Sequence, residues 1–157
     1  MKITLLLTGK TEESWLRKGM SGYEERIRKY LPFGIEELPG LKNTSGLTRR
    51  EWKKREAEAI ARRLLPADYL VLLAEKGEEM TSTEFSTFLN KRFSQGLKNL
   101  VFAVGGPYGF DDSLEKRAAF RLSLSRMTFH HQLVRILFLE QLYRALTILR
   151  NEPYHHE

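Results

Sequence analysis

The chain contains no cysteine, so disulfides, thiolate zinc sites and cysteine nucleophiles are excluded. It also lacks the uncharged apolar run of about 18 residues that a membrane span needs, because the apolar segment after Gln132 carries Arg135, Glu140 and Arg144. The apolar start, residues 1–7, is too short for a signal peptide and leads into a polar loop. These absences favour a protein of the reducing cytoplasm without a membrane partner.

Several motifs of familiar chemistries are also missing. No cluster of histidines and carboxylates has metal-ligand spacing, and the pair His155 and His156 is expected to be exposed, so no metal is predicted. Neither the dinucleotide motif G-x-G-x-x-G nor the hydrolase motif G-x-S-x-G occurs. The TGKT of residues 8–11 lacks the preceding glycine of a phosphate loop, which favours a simple strand-to-helix turn.

The 157 residues predict a single domain, residues 1–157, with a formal net charge of +6. A basic surplus favours an anionic partner such as nucleic acid, although a solvated basic surface is the other interpretation. Eleven of the 26 basic residues lie in two groups, one along a predicted helix and one around two loops: Arg49, Arg50, Lys53, Lys54, Arg55, Arg62 and Arg63, then Arg117, Arg121, Arg126 and Arg135.

The hydrophobic pattern predicts strands that alternate with helices. Strands are expected at residues 2–8, 35–38, 69–73, 100–104 and 122–125, and helices at 13–31, 48–65, 81–95 and 132–149, with a short helical piece before the last strand. The charged segment 74–80 is predicted to be a loop. This order is typical of an α/β fold with a parallel sheet flanked by helices, and the pattern alone predicts an unknotted, flavodoxin-like sheet.

A candidate ligand site follows two of the predicted strands. The glycine turn 105–109 and the Ser/Thr-containing loop 126–128 both lie where strands end, and open α/β sheets bind ligands at the carboxyl ends of strands. Gly105 and Gly106 lack a Cβ, so a flat polar heterocycle such as adenine can approach the main chain closely. The alternative interpretation is that the glycines only form a tight turn.

The last predicted helix is apolar on nearly every face, which is typical of a helix buried on more than one side. In a chain of this size a second subunit can cover the face that the sheet leaves open, so we predict a two-fold homodimer. Glu140 and Arg144 are spaced to form an ion pair along this helix.

Several motifs together resemble one family. They are VGGPYGF at residues 104–110, LSLSRMT at 122–128, HQLVRILFLEQLYRALTIL at 131–149, PYH at 153–155 and TSTEFS at 81–86. The chain resembles, over its whole length, the bacterial ribosomal large-subunit methyltransferase H family, SPOUT-class enzymes that methylate N3 of a pseudouridine in 23S rRNA. It departs from the family pattern at His130, where proline is usual, and at His156, where arginine or lysine is usual.

The resemblance implies S-adenosylmethionine as the methyl donor, a C-terminal trefoil knot, and a homodimer whose active site includes the partner's tail. The implied substrate is 23S rRNA within the assembled ribosome. The implied cofactor-binding residues are Leu73, Gly105, Gly106, Leu124, Ser125, Arg126, Met127, Thr128 and Phe129. The residues predicted to contact RNA are Arg135, Tyr154, His155 and His156.

N3 of pseudouridine must lose its proton, and the candidate bases are His131, Glu140 and His155. Deprotonation by water, with Arg135 or Arg144 stabilising the anion, stays open. A non-enzymatic RNA-binding module of the ribosome or its assembly is the alternative function. That alternative accounts for the charge but not for the glycine turn beside the Ser/Thr loop.

Overall fold

The computed structural model describes residues 1–156. Its elements alternate along the chain in the predicted order. The strands are β1 (Lys2–Thr8), β2 (Phe33–Leu38), β3 (Tyr69–Glu79), β4 (Asn99–Val104) and β5 (Phe120–Ser123). The helices are α1 (Ser14–Arg28), α2 (Arg49–Arg63), α3 (Ser82–Ser94), α4 (Asp112–Arg117) and α5 (Leu133–Leu149).

The five strands form one sheet in the order β2-β1-β4-β3-β5, and every neighbouring pair is parallel. The predicted α/β class and parallel sheet are therefore confirmed. The flavodoxin-like arrangement is wrong, because that fold has the order 2-1-3-4-5, whereas here β4 lies between β1 and β3. The trefoil knot stays a prediction.

Both faces of the sheet are covered, which explains the continuous apolar runs of β1 and β4. Alternate strand residues enter two separate cores: Leu5 belongs to the core beneath α1, α3 and α5, and its neighbour Leu6 to the core beneath α2 and α4. Phe102 and Phe138 meet at the centre of the first core, with ring centroids 4.7 Å apart. No helix within residues 1–156 has the length and apolar composition to cross a membrane.

Two helix starts follow directly from the sequence. Thr48 accepts a hydrogen bond from the Glu51 N–H, and the Glu51 carboxylate accepts one from the Thr48 N–H. Thr81 and Glu84 form the same reciprocal capping box at the start of α3. Both satisfy N–H groups that a helix leaves unpaired in its first turn.

The prediction of a loop at residues 74–80 is wrong, because β3 continues to Glu79. After an irregularity that follows Leu73, the strand pairs again with β5, with Glu78 opposite Leu122. The charged side chains of this stretch are exposed, so the sequence resembles a loop while the backbone forms a sheet edge. Gly77 makes the close approach possible, since an added Cβ would lie 2.6 Å from the Leu122 carbonyl carbon and 2.7 Å from the Ser123 nitrogen.

Candidate functional site

A cleft of about 600 Å³ opens at the carboxyl ends of β4 and β5, beside residues 73–76 of β3. Parallel strands direct the loops that follow them to this edge of the sheet, which is where α/β folds bind ligands. Its walls come from this stretch of β3, the glycine turn after β4 and the loop after β5. The predicted cofactor residues that line it are Leu73, Gly105, Gly106, Leu124, Ser125, Met127, Thr128 and Phe129.

The glycine turn folds back on itself beside the cleft. The Gly109 N–H donates to the Gly106 carbonyl at 3.3 Å, and Gly109 has a φ of +81°, a conformation that glycine adopts without steric cost. Gly105 is buried, and a Cβ there would lie 3.2 Å from the Phe110 ring. At its three glycines the turn therefore presents only main-chain groups to the cleft, which Pro107 and Tyr108 also line.

The loop after β5 is shaped by its serines. The Ser123 hydroxyl donates to the Ser125 carbonyl at 2.9 Å, and the Ser125 hydroxyl accepts from the Met127 N–H at 2.9 Å. Met127 is 76% exposed at the rim. Arg126 is the one predicted cofactor residue that does not line the cleft, since its side chain extends into solvent. The cofactor role of this whole set stays a prediction.

His131 is the one catalytic candidate that the structure places in the cleft. Burial lowers its pKa, and the neighbouring His130 and Arg135 lower it further, against a smaller opposing effect of Glu12. The imidazole is therefore neutral near pH 7, which is the form that can accept a proton.

The other candidates form what we call the tail cluster: Glu140, Arg144, Tyr154 and His155. Arg144 donates to the Glu140 carboxylate from Nε at 2.9 Å and from Nη2 at 2.5 Å, which confirms the predicted ion pair, and its Nη1 lies 3.2 Å from His155 Nδ1. The Tyr154 hydroxyl donates to Glu140 at 3.2 Å, and its ring lies beneath the Arg144 guanidinium. Burial, with Tyr23 and Glu140 adding to it, raises the pKa of Tyr154 to about 12.

None of the tail cluster lines the cleft. Leu133 begins α5 beside the cleft, and Glu140 follows about 10 Å farther along the helix axis at 1.5 Å per residue. The structure of one chain therefore does not bring His131 together with Glu140, Arg144 and His155. Tyr154 and His155 are half-buried and His156 is exposed, so the last of these predicted RNA contacts is the most accessible.

Arg135 requires a correction. Predicted to contact RNA, it is 0% exposed. Its Nη2 donates to the Thr8 carbonyl at 2.9 Å, and its Nη1 donates to the Gly9 carbonyl at 3.1 Å and to Thr11 Oγ1 at 2.9 Å. Burial lowers its pKa, in part offset by Glu37 and Glu12. Arg135 thus holds the turn between β1 and α1 against α5, and it presents no surface to an RNA phosphate.

The same turn explains the TGKT sequence. The Gln132 side chain donates to the Lys10 carbonyl at 3.1 Å and accepts from the Glu12 N–H at 3.1 Å. Residues 9–13 form the strand-to-helix turn that the sequence favours, with Gly9 at a φ of +81°.

Glu56 was missed by sequence reasoning. It lies on α2 among basic residues, yet it is only 8% exposed and its carboxylate abuts Gly106. A glutamate in a charged helix gives no sequence signal of burial, so only the packing of α2 against the glycine turn reveals it. Within residues 1–156, no group of three or more histidine, aspartate and glutamate side chains could hold a metal ion.

The chain is similar to known methyltransferases over nearly its whole length. Residues 1–155 match the family model described as predicted SPOUT methyltransferase. The ribosomal RNA large subunit methyltransferase H of Parabacteroides distasonis is 50% identical over 157 residues, which cover all of both chains. The proteins of the same name from Cytophaga hutchinsonii and Christiangramia forsetii are 48% and 46% identical over 156 residues, with at least 99% of each chain covered.

Proposed function

This chain belongs to the SPOUT methyltransferase family, and from that premise we propose that it transfers a methyl group from S-adenosylmethionine to N3 of a pseudouridine in 23S rRNA. The observation that carries the proposal is the cleft at the carboxyl ends of β4 and β5, which is lined by residues of the motifs that resemble the family. The printed name of the relatives, which refers to RNA of the large ribosomal subunit, supports the substrate class.

The cleft fits S-adenosylmethionine in size and chemistry. Its volume of about 600 Å³ lies within the range of about 300–1,000 Å³ that is typical of small-molecule sites. Leu73, Leu124 and Phe129 supply apolar walls for an adenosyl group, and the glycine turn supplies N–H and C=O groups for its polar edge. A side chain at Gly105 would meet Phe110, so this approach to the main chain depends on glycine.

The protein does not need to activate the methyl group, because the sulfonium of S-adenosylmethionine already makes it reactive. The residues of the cleft must align the acceptor nitrogen with the methyl carbon and exclude water, and alignment of this kind lowers barriers substantially. The imide proton must also leave N3. His131 is the base that the geometry favours, because it lines the cleft and its lowered pKa keeps it neutral.

A homodimer gives the tail cluster a role. The face of α5 that points away from the core carries Leu133, Leu137, Gln141, Arg144 and Ile148, all of them partly or largely exposed. These positions recur at three- and four-residue steps and form one stripe of the helix. In a homodimer, the stripes of the two subunits would pack against each other and become buried. The partner's Tyr154, His155 and His156 would then form the wall of the cleft that faces the RNA.

The substrate is proposed to be the assembled ribosomal surface. Recognition would rest on contacts of basic side chains with RNA phosphates and on the shape of the RNA. An enzyme of this kind would work in the cytoplasm, where ribosomes are.

The proposal is tested by incubating the purified protein with radiolabelled S-adenosylmethionine and ribosomes from cells that lack it. Label should enter 23S rRNA at one pseudouridine. Gly105→Leu, which fills the cleft, should abolish both transfer and the binding of S-adenosylhomocysteine, whereas Gly22→Leu, with open space at its Cβ on α1, should retain both. RNA binding without any methyl transfer would favour the non-enzymatic module instead.

A further inference from the structure

A second cleft of about 330 Å³ adjoins the first. The two share Gly106, Pro107 and His131, so an occupant of one lies directly beside an occupant of the other. Residues of the β1–α1 turn, the end of β2 and α2 form its walls, and Leu38, Pro39, Leu41 and Trp52 give it apolar surface. The proposed site of S-adenosylmethionine lies in the first cleft and leaves the second cleft empty.

Two buried polar atoms at this cleft make no hydrogen bond of good geometry within residues 1–156, although the Trp52 indole is near enough to the Glu56 carboxyl to lower its pKa. They are the acceptor Glu56 Oε1 and the donor Trp52 Nε1. Both residues line the cleft, and they lie one helical turn apart on the same face of α2. Buried polar groups are nearly always paired in native proteins, so an unpaired acceptor beside an unpaired donor indicates a function.

The Glu56 carboxyl faces the junction of the two clefts. A Cβ added at Gly106 would lie 2.4 Å from Glu56 Oε2, so the carboxyl packs directly on that glycine. Burial raises the pKa of Glu56, and the nearby Trp52 indole, Gly106 N–H and Thr8 hydroxyl only partly offset it. The terminal torsion of a glutamate is soft, so a small rotation turns an oxygen from Gly106 toward the cleft.

The surroundings of the second cleft are basic and aromatic. Lys10 lines it from the β1–α1 turn and is exposed. On the turn of α2 before Trp52, the Arg49 guanidinium lies 5.3 Å from the centre of the Tyr108 ring, and the Trp52 and Tyr108 rings meet edge to face at 5.7 Å. Lys53 follows on the same helix. Cations around an aromatic-walled cleft suit a nucleotide, whose base is flat and whose phosphates are negative.

We propose that the second cleft holds the base of the RNA nucleotide that receives the methyl group. Pseudouridine presents N1–H next to the C2 carbonyl, which matches the acceptor of Glu56 and the donor of Trp52 and leaves N3 free to face the methyl donor. Lys10, Arg49 and Lys53 contact the adjoining phosphates, and the shared wall of Gly106 and His131 places the base edge beside the methyl donor. The inference rests on the proposed function, and it assigns Glu56 to substrate recognition.

The experiment uses the fluorescence of Trp52. The chain has two tryptophans, so Trp15→Phe leaves Trp52 as the sole emitter. This protein, saturated with S-adenosylhomocysteine, is titrated with pseudouridine, uridine and cytidine 5′-monophosphates. Pseudouridine monophosphate should quench the emission, and the other two nucleotides should bind about tenfold more weakly, because their N1 carries the ribose and has no hydrogen to donate.

Glu56→Gln, added to this background, should weaken binding of pseudouridine monophosphate about tenfold or more, as loss of a hydrogen bond to a charged group does. Glu58→Gln is the matched control, since Glu58 lies on the exposed side of the same helix. Ala59→Leu, which narrows the second cleft from its wall, should abolish the response. All three variants should bind S-adenosylhomocysteine as before, and calorimetry shows whether each remains folded.

The inference is overturned if Trp52 emission does not change up to the solubility limit of the nucleotides, or if Glu56→Gln binds them as tightly as Glu58→Gln. Failure of the parent protein to bind S-adenosylhomocysteine would instead overturn the proposed function, and the inference with it.

Discussion

Replacement of Gly77 by alanine should damage both stability and cofactor binding, because Gly77 lies where β3 passes closest to β5. Three backbone atoms surround the position of an added Cβ: the Leu122 carbonyl carbon at 2.6 Å, the Ser123 nitrogen at 2.7 Å and the Arg121 carbonyl carbon at 2.8 Å. All three belong to β5, whose end forms a wall of the first cleft.

The expected loss of stability depends on the backbone atoms of β5 that an added Cβ would displace. Overpacking costs about 1–3 kcal/mol in typical proteins, and backbone atoms of a paired strand yield less readily than a side-chain end. We therefore expect the free energy of unfolding to fall by about 2–3 kcal/mol. At about 2–4 °C per kcal/mol for a chain of this length, the melting temperature should fall by about 4–12 °C.

Urea unfolding and calorimetry with S-adenosylhomocysteine measure the two effects. Gly34→Ala is the control, because Gly34 lies in β2 with no atom within 4 Å of its Cβ position and without a positive φ. That variant should be as stable as the parent or up to about 1 kcal/mol more stable, with unchanged affinity. A Gly77→Ala protein that matches Gly34→Ala in both measurements would refute the close approach of β3 and β5.

Three further predictions follow from the site and the helix beside it. Arg135→Lys should lower the free energy of unfolding by about 1.5–3 kcal/mol, since it breaks charged hydrogen bonds to the β1–α1 turn, and it should leave the salt dependence of RNA binding unchanged. His131→Ala should lower the rate of methyl transfer about 10²–10⁴-fold and remove the acid limb of the pH profile. Leu137→Glu should convert a dimer into monomers, as seen by analytical ultracentrifugation.

Each of these has an outcome that contradicts it. A reduced salt slope in Arg135→Lys would mean that this residue contacts phosphate after all. The parent's rate should fall only as the pH drops below 6.5, the ordinary pKa of histidine, because burial lowers the pKa of His131; an acid limb above that value would exclude His131 as the base. A dimer that survives Leu137→Glu would place the interface away from the outer face of α5.

Local sequence signals predicted the elements of the fold but not their arrangement. Apolar runs, prolines and capping boxes predicted the strands and helices to within a few residues, except that β3 was predicted to end six residues too early. The strand order could not be predicted, because two equally apolar strands, β1 and β4, can occupy the centre of a sheet in several ways. The glutamates of β2, Glu36 and Glu37, agree with its position at an edge, where one side of the strand remains unpaired.

The charged end of β3 shows where periodicity fails. Glu75, Lys76, Glu78 and Glu79 are exposed, so no apolar alternation marks the strand. Gly77 was the available signal, since an isolated glycine within a strand often marks the close approach of another backbone.

Some parts of the candidate site could also be predicted from the sequence, and others could not. The glycine turn and the Ser/Thr loop could be found from the sequence, because backbone exposure at strand ends has a recognisable composition. Arg135 and Glu56 could not, because their burial depends on partners far along the chain: Thr8 and Gly9 for the first, Gly106 for the second. A charged residue on a basic chain resembles a surface residue until its partners are known.

The account depends most on methyl transfer to large-subunit rRNA at the cleft beside the carboxyl ends of β4 and β5. Mass spectrometry of nucleosides from 23S rRNA, in cells that lack this protein, tests it directly. We predict the loss of one N3-methylated pseudouridine, with an unmethylated pseudouridine at the same position. An unchanged set of methylated nucleosides in 23S rRNA would contradict the proposed function.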